Sequence, residues 1–251
     1  MSTFSTYRKS GATAAYPVVT FPDNFSLLFD GDATATFDIN AFDLGTNDFS
    51  IAYWMKYGGF QPTGTIFTAG RGSSISLTYF GLVSSLNSGK PVLSVQFGSW
   101  SAISYITVDT DLSDNSWHHI LFTIDRDADS SVYVDGALNN TQGFFHQSEE
   151  DFDMTLGAGI LGNSSLGTLP YDGLLNDFAL WDVKLTSGDA TSIYNSGSPN
   201  DLTNANSYDT DRTSNLKLYW KMEEGSGTTS ADSSGHGYSI SSIDTWSSDT
   251  P

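Results

Sequence analysis

The chain of 251 residues is strongly acidic, with 29 aspartate and glutamate residues against 10 lysine and arginine residues and a formal charge of −19. Nucleic acids and anionic membranes bind cationic surfaces, so both are disfavoured as partners. The absence of cysteine excludes disulfides and thiolate metal sites. No segment approaches the roughly 20 apolar residues of a membrane helix, and the first residues lack the apolar run of a cleaved signal peptide.

Residues 1–20 are small, polar and aperiodic, and they predict an N-terminal arm that is either disordered or docks onto a partner. Residues 21–251 are predicted to form one domain. Segments such as SLLFDG, ATATFDI, DFSIAYWMKY and PVLSVQFG alternate apolar and polar residues, with Gly, Ser, Asn and Pro clusters between them. Short strands at such regular spacing, with no long helical pattern, indicate an all-β, antiparallel two-sheet jelly-roll sandwich.

The stretch WHHILFTIDRDADSSVYVDG, residues 117–136, predicts a strand, a polar turn and a return strand. Both faces of WHHILFTID are largely apolar, which predicts a central strand that is covered on both sides. His118 and His119 are adjacent, so their side chains point to opposite faces of a strand and cannot hold one metal ion together. Asp135-Gly136 is typical of a type I′ hairpin turn. The histidine pair is therefore interpreted as structural and not as a catalytic motif.

One short helix is predicted over residues 187–196, within the segment LTSGDATSIYNSGSP. Thr186 and Asp189 have the spacing of a capping box at its start. Ile193 belongs to an apolar face, and Gly197 is a candidate C-cap that is followed closely by a proline.

Three parts of the sequence resemble the laminin-G-like branch of the concanavalin A-like jelly rolls. They are WHHILFTID with VYVDG, then YDGLLNDFALWDVKLTSGDATSIYNSG, and SLLFDGDATATFDI. A further phrase, LYWKMEEGSGTTSADSSGHG, resembles a segment that precedes the first strand in many members, whereas here it closes the chain. This indicates either a permuted order or a pairing of both ends in the same sheet. The resemblance implies the fold but not the function, because this fold serves lectins, adhesion modules, glycosidase appendages and virion proteins.

The resemblance also implies a calcium ion, which relatives often hold between the first Asp-Gly turn and the segment that matches YDGLLND. The matching positions here are Asp30, Asp32, Asn176 and Asp177. Asn176 stands where the family has Asp and Asp177 where it has Glu, and the lost charge lowers the expected affinity. The alternative is that these side chains lie in solvated turns and cap backbone amides. The sequence leaves both interpretations open.

An enzyme is the least favoured class. In QSEEDFDMTLGAG, Glu149, Asp151 and Asp153 alternate as the E-x-D-x-E motif of retaining glucanases on this fold does. The residues that alternate with these acidic ones, from Phe152 to Leu156, are apolar, however. An amphipathic strand with its acidic side in water therefore explains the same pattern. A final Asp in place of Glu would also retract a general acid. No nucleophile elbow, catalytic triad or phosphate-binding loop occurs.

Aromatic side chains in loops or on the concave sheet are the usual glycan platforms of this fold. We predict Tyr57, Phe60, Trp100 and Tyr105 as ligand-binding residues, with Trp100 the strongest because small polar residues flank it. The alternative is that these rings pack in the core.

Together these observations predict a non-enzymatic binding and structural module, such as a phage capsid decoration or fibre protein, that is displayed on a virion surface or in another extracellular setting without a cleaved signal peptide. Such a module would dock onto neighbouring virion or surface proteins, could form a homo-oligomer and could recognise a glycan. The alternative is a calcium-dependent carbohydrate-binding adhesin, and a glycoside hydrolase ranks last.

Overall fold

The structure is a computed structural model that describes residues 21–31, 33–58, 63–70, 80–97, 102–143, 154–162 and 170–251. These residues form strands and one α-helix, α1, which spans Ser187–Tyr194. The strands are β1 (Ser26–Asp30), β2 (Ala35–Gly45), β3 (Phe49–Lys56), β4 (Thr63–Gly70), β5 (Phe80–Asn87), β6 (Lys90–Phe97), β7 (Ala102–Thr107), β8 (Trp117–Ile124), β9 (Asp129–Val134), β10 (Ala137–Gly143), β11 (Met154–Leu161), β12 (Asp172–Trp181), β13 (Leu216–Trp220), β14 (Ile240–Ser241) and β15 (Thr245–Ser247). Two 3-10 turns cover Ala205–Ser207 and Thr213–Asn215. Within the described ranges, no helix is long and apolar enough to cross a membrane.

The strands form two antiparallel sheets that pack face to face. The first sheet has the order β10-β9-β8-β3-β12-β1-β15, with β13 beside the second half of β12. The second sheet has the order β14-β2-β11-β4-β5-β6-β7. This arrangement confirms the predicted all-β, two-sheet sandwich. Because β15 pairs with β1, both ends of the described chain lie in the same sheet.

The strand that contains the histidine pair, β8, lies between β3 and β9 and is covered on both faces, as predicted. His119 is buried on the outer face, with its ring centroid 5.2 Å from that of Trp54. His118 points the other way, and its Nδ1 lies 2.8 Å from Asp135 Oδ2. Asp135 and Gly136 have φ values of 50° and 75°, the left-handed conformations that the predicted hairpin turn requires.

The main core lies between the two sheets and is rich in aromatic rings. The ring centroid of Phe178 lies 4.9 Å from that of Phe67 and 5.3 Å from that of Trp220. The hydroxyl of Tyr53 on β3 forms a 2.8 Å hydrogen bond with Ser84 on β5, which satisfies a buried polar group at the interface. Large buried rings remove much apolar surface from water, so this layer holds the sheets together.

A second, smaller core covers part of the outer face of the first sheet, the face turned away from the second sheet. Trp181 of β12 packs there with Ile193 of α1 and with Tyr208, whose hydroxyl accepts a 3.2 Å hydrogen bond from Trp181 Nε1. The segment after β12 therefore supplies a lid of apolar side chains over β3, β8 and β12.

The start of α1 confirms the predicted capping box. Asp189 N donates to Thr186 Oγ1 at 3.1 Å, and Thr186 N donates to Asp189 Oδ2 at 3.0 Å. The end differs from the prediction, because the helix stops at Tyr194 and the C-cap is Asn195, not Gly197. Asn195 adopts the left-handed conformation with φ 48°, which its short polar side chain tolerates.

Strand β12 carries an irregularity that shapes the first sheet. β1 pairs with its first half and β13 with its second half, and the register with β3 shifts between Asn176 and Ala179. Asp177 has a left-handed backbone with φ 47° at this bulge. Asn176 and Asp177 thus lie where the edge of β12 passes from one partner strand to the other.

Candidate functional site

A pocket lies on the outer face of the first sheet, at the end where β3 stops and β8 and β12 begin. Lys56 is the register partner of both Trp117 and Leu174, so the three side chains share the outer face. Asp249, which follows β15, lines the pocket from the neighbouring edge. The pocket has a volume of about 280 Å³. Its lining includes Lys56, Gly58, Asn115, Asp172, Leu174 and Asp249.

Asp249 links two of the neighbouring strands. Its Oδ2 lies 2.7 Å from Lys56 Nζ, and its Oδ1 accepts a 2.9 Å hydrogen bond from Trp117 Nε1. Burial acts to raise the pKa of Asp249, but the hydrogen bonds from Lys56 and Trp117 outweigh it and lower that pKa. Asp249 therefore stays ionised at neutral pH, and the charge of Lys56 is matched within the pocket wall.

Asp172 and Asn115 supply the remaining polar groups of the pocket. No residue in the described part of the chain forms a hydrogen bond with either side chain, whereas the Asn115 backbone N–H donates to Tyr57 O at 2.9 Å. Asn115 has a left-handed backbone with φ 60°, a turn conformation that asparagine tolerates. The pocket thus offers one carboxylate and one amide whose hydrogen-bonding capacity is available to a ligand.

Two glycines give the pocket its shape. A Cβ atom at Gly173 would lie 2.5 Å from Lys56 O and 2.6 Å from the hydroxyl of Tyr171, so only glycine fits at this close approach. A Cβ atom at Gly58 would lie 3.4 Å from Asn115 Oδ1, which is an ordinary contact. Position 58 can therefore accept a side chain, and that side chain would begin beside a residue that lines the pocket.

The structure separates the aromatic residues that the sequence predicted as ligand contacts. Tyr57 is buried in the main core, with its ring 6.2 Å from that of Tyr171, so its prediction as an exposed platform is wrong. Tyr57 has the same parity as Met55, which points inward, and this explains its burial. Tyr105 on β7 is 52% exposed, in agreement with a surface position. Phe60 and Trp100 lie outside the described residues.

The predicted calcium ligands are not assembled as one site. Asp30 is the register partner of Asp172, and Asn176 lies four residues further along β12, about 13 Å away at the usual rise of a strand. Asp30 is therefore too far from Asn176 and Asp177 to share an ion with them, and Asp32 lies outside the described residues. In the part of the chain that the structure describes, no group of three or more His, Asp or Glu side chains is arranged to hold a metal ion.

Asn176 and Asp177 belong instead to a polar cluster that sequence reasoning missed. Asn176 Nδ2 donates to Asp23 Oδ1 at 2.7 Å, and Asp177 Oδ1 accepts a 2.6 Å hydrogen bond from the Tyr219 hydroxyl. Glu223 Oε2 accepts a 2.8 Å hydrogen bond from the N–H that follows Asp23 in the chain. We call Asp23, Asn176, Asp177 and Glu223 the carboxyl clasp, because it fastens the segments before β1 and after β13 to β12.

The carboxyl clasp does not fit the calcium ion that the resemblance implies. A calcium ligand must present oxygen, but Asn176 presents an N–H group to Asp23. The amide oxygen of Asn176 is already used, since it accepts a 2.9 Å hydrogen bond from the Asp177 N–H. The Asn176 amide therefore stabilises the Asp23 carboxyl through a hydrogen bond, where a bound cation would stabilise it through charge.

Burial changes the protonation of the clasp. It raises the pKa of Asp177 well above its usual range, and it raises the pKa of Glu223 to about 7. It also raises the pKa of Asp23, although the hydrogen bond from Asn176 acts against this shift. The clasp consequently holds protons under conditions where exposed carboxyls have lost them.

Glu223→Gln tests this protonation. The pKa of Glu223 rises from 4.5 to about 7 on folding, so its contribution to stability is complete below about pH 4.5 and is lost as the pH rises to about 7. Gln cannot ionise, so the variant should not lose stability in this way. Between pH 4.5 and pH 7 its free energy of unfolding should therefore gain about 1 kcal/mol over that of the natural chain, a value that allows for solvent screening. Urea denaturation at a series of pH values measures the difference. Glu224→Gln is the matched control, and parallel pH profiles for Glu223→Gln and the natural chain contradict the prediction.

The acidic triplet Glu149, Asp151 and Asp153, which carried the enzymatic alternative, lies outside the described residues. In the pocket, Lys56 contacts one carboxylate oxygen of Asp249 and Trp117 donates to the other.

A laminin-G-type sequence model of the concanavalin A-like lectin/glucanases superfamily matches residues 29–191. The match covers more than half of the chain, which therefore belongs to this family. No curated protein sequence matches it significantly.

Several solved structures share the fold at low sequence identity. The native heptameric SAP-like pentraxin of Limulus polyphemus is 17% identical, with a TM-score of 0.52 over 68% of this chain and 82% of the pentraxin. A protein from Bacteroides ovatus with a suggested role in carbohydrate binding is 14% identical, with a TM-score of 0.58 over 90% of this chain and 61% of its own length. The ligand binding domain of botulinum neurotoxin serotype D, solved with N-acetylneuraminic acid, is 15% identical, with a TM-score of 0.52 over 69% of this chain and 42% of the neurotoxin chain. These similarities establish the fold.

Proposed function

We propose that this chain is a non-enzymatic, surface-displayed module that binds a saccharide in the pocket on the outer face of the first sheet. The observation that carries the proposal is the pocket itself, with a volume of about 280 Å³. Carboxylate, amide and ammonium groups line it, and it is close in size to the smallest ligand sites of proteins. Sugar hydroxyls donate and accept hydrogen bonds, so the unoccupied side chains of Asp172 and Asn115 suit them.

The fold neighbours support a binding role. The neurotoxin domain was solved with N-acetylneuraminic acid, and the Bacteroides protein has a suggested role in carbohydrate binding. Both of these fold neighbours are described by what they bind, which supports a binding module without catalytic activity.

We further propose that the module is displayed on a virion, where it docks onto neighbouring virion proteins and could form a homo-oligomer. The charge of −19, the lack of cysteine and the polar residues 1–20 support this setting. Exposed apolar side chains at the edge strands β7 and β10 also support docking. Tyr105 on β7 is 52% exposed and Leu138 on β10 is 61% exposed, and a partner protein could cover both. Gln142 Nε2 donates to Tyr105 O at 2.6 Å and ties β10 to β7, so the two exposed side chains flank one seam between the sheets.

The alternative is a calcium-dependent adhesin. It requires a cation site close to the sugar, and the described residues of the predicted calcium set are too far apart to provide one. The calcium-independent form of the proposal is therefore favoured.

A glycan array tests both forms, run once with calcium and once with a chelator. We expect selective saccharide binding that the chelator does not reduce. We also expect that a variant lacking residues 1–20 keeps this binding but is not incorporated into particles, if the segment docks as proposed. Binding that disappears on chelation would support the calcium-dependent adhesin, and no binding in either condition would contradict the saccharide role and leave the assembly role.

A further inference from the structure

We propose that the outer-face pocket selects saccharides by charge, taking amino sugars in preference to neutral ones and rejecting acidic ones, and that Asp172 sets this order. The inference rests on the proposed function and adds the class of saccharide. It follows from the distribution of charge around the pocket and not from the family, whose fold is shared by binding domains of very different ligands.

The charges that line the pocket do not cancel. Lys56 contributes one positive charge, and Asp172 and Asp249 contribute one negative charge each, so the sum of the lining is one negative charge. The ammonium of Lys56 lies 2.7 Å from Asp249, which already balances it. The uncompensated charge of the lining is therefore that of Asp172.

A second carboxyl, which accepts a 3.2 Å hydrogen bond from the Ala33 N–H, lies beside Asp172 on the same face. Asp30 at the end of β1 is the register partner of Asp172, and directly opposed residues of antiparallel strands point to the same face. Leu28, two residues before Asp30, also lines the pocket, which confirms that this parity of β1 faces it. A cationic group in the pocket would meet Asp172 first and Asp30 next to it.

The chemistry of the remaining groups explains the order of ligands. An ammonium group on a sugar can form a charge-assisted hydrogen bond with the Asp172 carboxylate, whereas a neutral hydroxyl forms an ordinary one. A sugar carboxylate or sulfate would face the same group with a like charge. Asp249 already balances the charge of Lys56, so the remaining donors of this ammonium attract an acidic sugar less strongly than an unpaired lysine would. The overall charge of −19 acts in the same direction during encounter.

Calorimetric titration with matched β-1,4-linked hexasaccharides of glucosamine, glucose and glucuronic acid tests the proposal. We expect the natural chain to bind the glucosamine form about fivefold more tightly than the glucose form at low salt, the size of an exposed ion pair. The glucuronic acid form should bind most weakly, and high salt should compress all three affinities toward one value. Asp172→Asn should abolish the preference for glucosamine over glucose, because asparagine keeps an oxygen that accepts hydrogen bonds from sugar hydroxyls but lacks the charge.

Asp127→Asn is the matched control, because it removes the same charge beyond the far end of β8, whose eight residues span about 25 Å. The control should keep the preference, and the melting temperature of each variant verifies its folding. Equal binding of the glucosamine and glucose forms by the natural chain, or a preference that survives Asp172→Asn, overturns charge selection while the saccharide role stands. A natural chain that binds none of the three overturns the proposed function and this inference together.

Discussion

Replacing Asp189 with alanine is expected to lower the free energy of unfolding by about 3–5 kcal/mol, the range observed when one partner of a buried ion pair is removed. Asp189 is fully buried and serves two neighbouring segments at once. It caps the start of α1 through Thr186, and its Oδ1 accepts hydrogen bonds from the N–H groups of Asp209 and Thr210. Its Oδ2 also lies 3.2 Å from Nε of Arg212.

The loss should be large because every one of these donors stays behind without its acceptor. Asp209 and Thr210 are exposed, so water can reach their N–H groups, and most of the loss comes from the helix cap and from the pairing with Arg212. Asp189→Asn keeps one acceptor oxygen and should lose about half as much as Asp189→Ala. Urea denaturation followed by circular dichroism measures both variants. A loss below about 1 kcal/mol for Asp189→Ala would show that water replaces the carboxylate and that the helix is not fastened through this residue.

Gly58→Phe is expected to reduce saccharide binding at least tenfold without unfolding the domain. The Cβ atom fits at this position, since its nearest contact is Asn115 Oδ1 at 3.4 Å, and Gly58 has no left-handed backbone to forbid a side chain. A phenyl ring that starts beside Asn115 fills space in a pocket of about 280 Å³. A tenfold change in Kd corresponds to about 1.4 kcal/mol of binding free energy.

Tyr105→Ala is the matched control for the pocket variant. It removes the exposed ring on the second sheet that the sequence predicted as a sugar platform, and it should leave saccharide binding unchanged. Glycan-array binding by both variants shows whether the saccharide binds to the pocket on the first sheet or to the second sheet. The melting temperature of each variant verifies that it is folded. If Tyr105→Ala abolishes binding and Gly58→Phe does not, the saccharide lies on the second sheet and the pocket is not the site.

The sequence was a good guide to those parts of the fold that depend on neighbouring residues. The apolar residues on both faces of WHHILFTID predicted a strand that is covered on both sides, and the structure places β8 between β3 and β9 with six of its eight residues buried. Asp135-Gly136 predicted a turn with two left-handed residues, and Thr186 and Asp189 predicted a capping box. Each of these features follows from local backbone geometry, so a single sequence contains the necessary information.

The end of α1 and the burial of Tyr57 show where local reasoning fails. Asn195 and Gly197 both tolerate a left-handed conformation, and local preference alone does not decide which residue ends the helix. Tyr57 follows a strand and precedes a glycine, which suggested a loop, but the parity of β3 continues through it and directs its ring into the core.

Neither the pocket nor the carboxyl clasp could be read from the sequence. The pocket joins residues 56, 115, 172 and 249, which are brought together by strand order and by the return of β15 to β1. The clasp joins Asp23 to Asn176 across 153 positions of the chain. Such contacts depend on topology, and a single sequence carries no signal of which distant residues meet. The segment that contains EEGSG was recognised as similar to the family, but nothing in it indicated which residues Glu223 contacts.

The pairing of β15 with β1 determines how the domain responds to tension. Ser26 is the register partner of Ser247, and because the strands are antiparallel, the start of β1 lies beside the end of β15. Both ends of the described chain therefore leave the sandwich side by side, where Ser26 Oγ donates to Asp249 O at 2.7 Å. A force applied between residues 21 and 251 would act in the unzipping geometry, in which the β1–β15 hydrogen bonds break one after another. It would not act in the shear geometry, in which they bear the force together. The same first opening step would withdraw Asp249 from Lys56, so mechanical peeling of this edge would also dismantle the wall of the pocket.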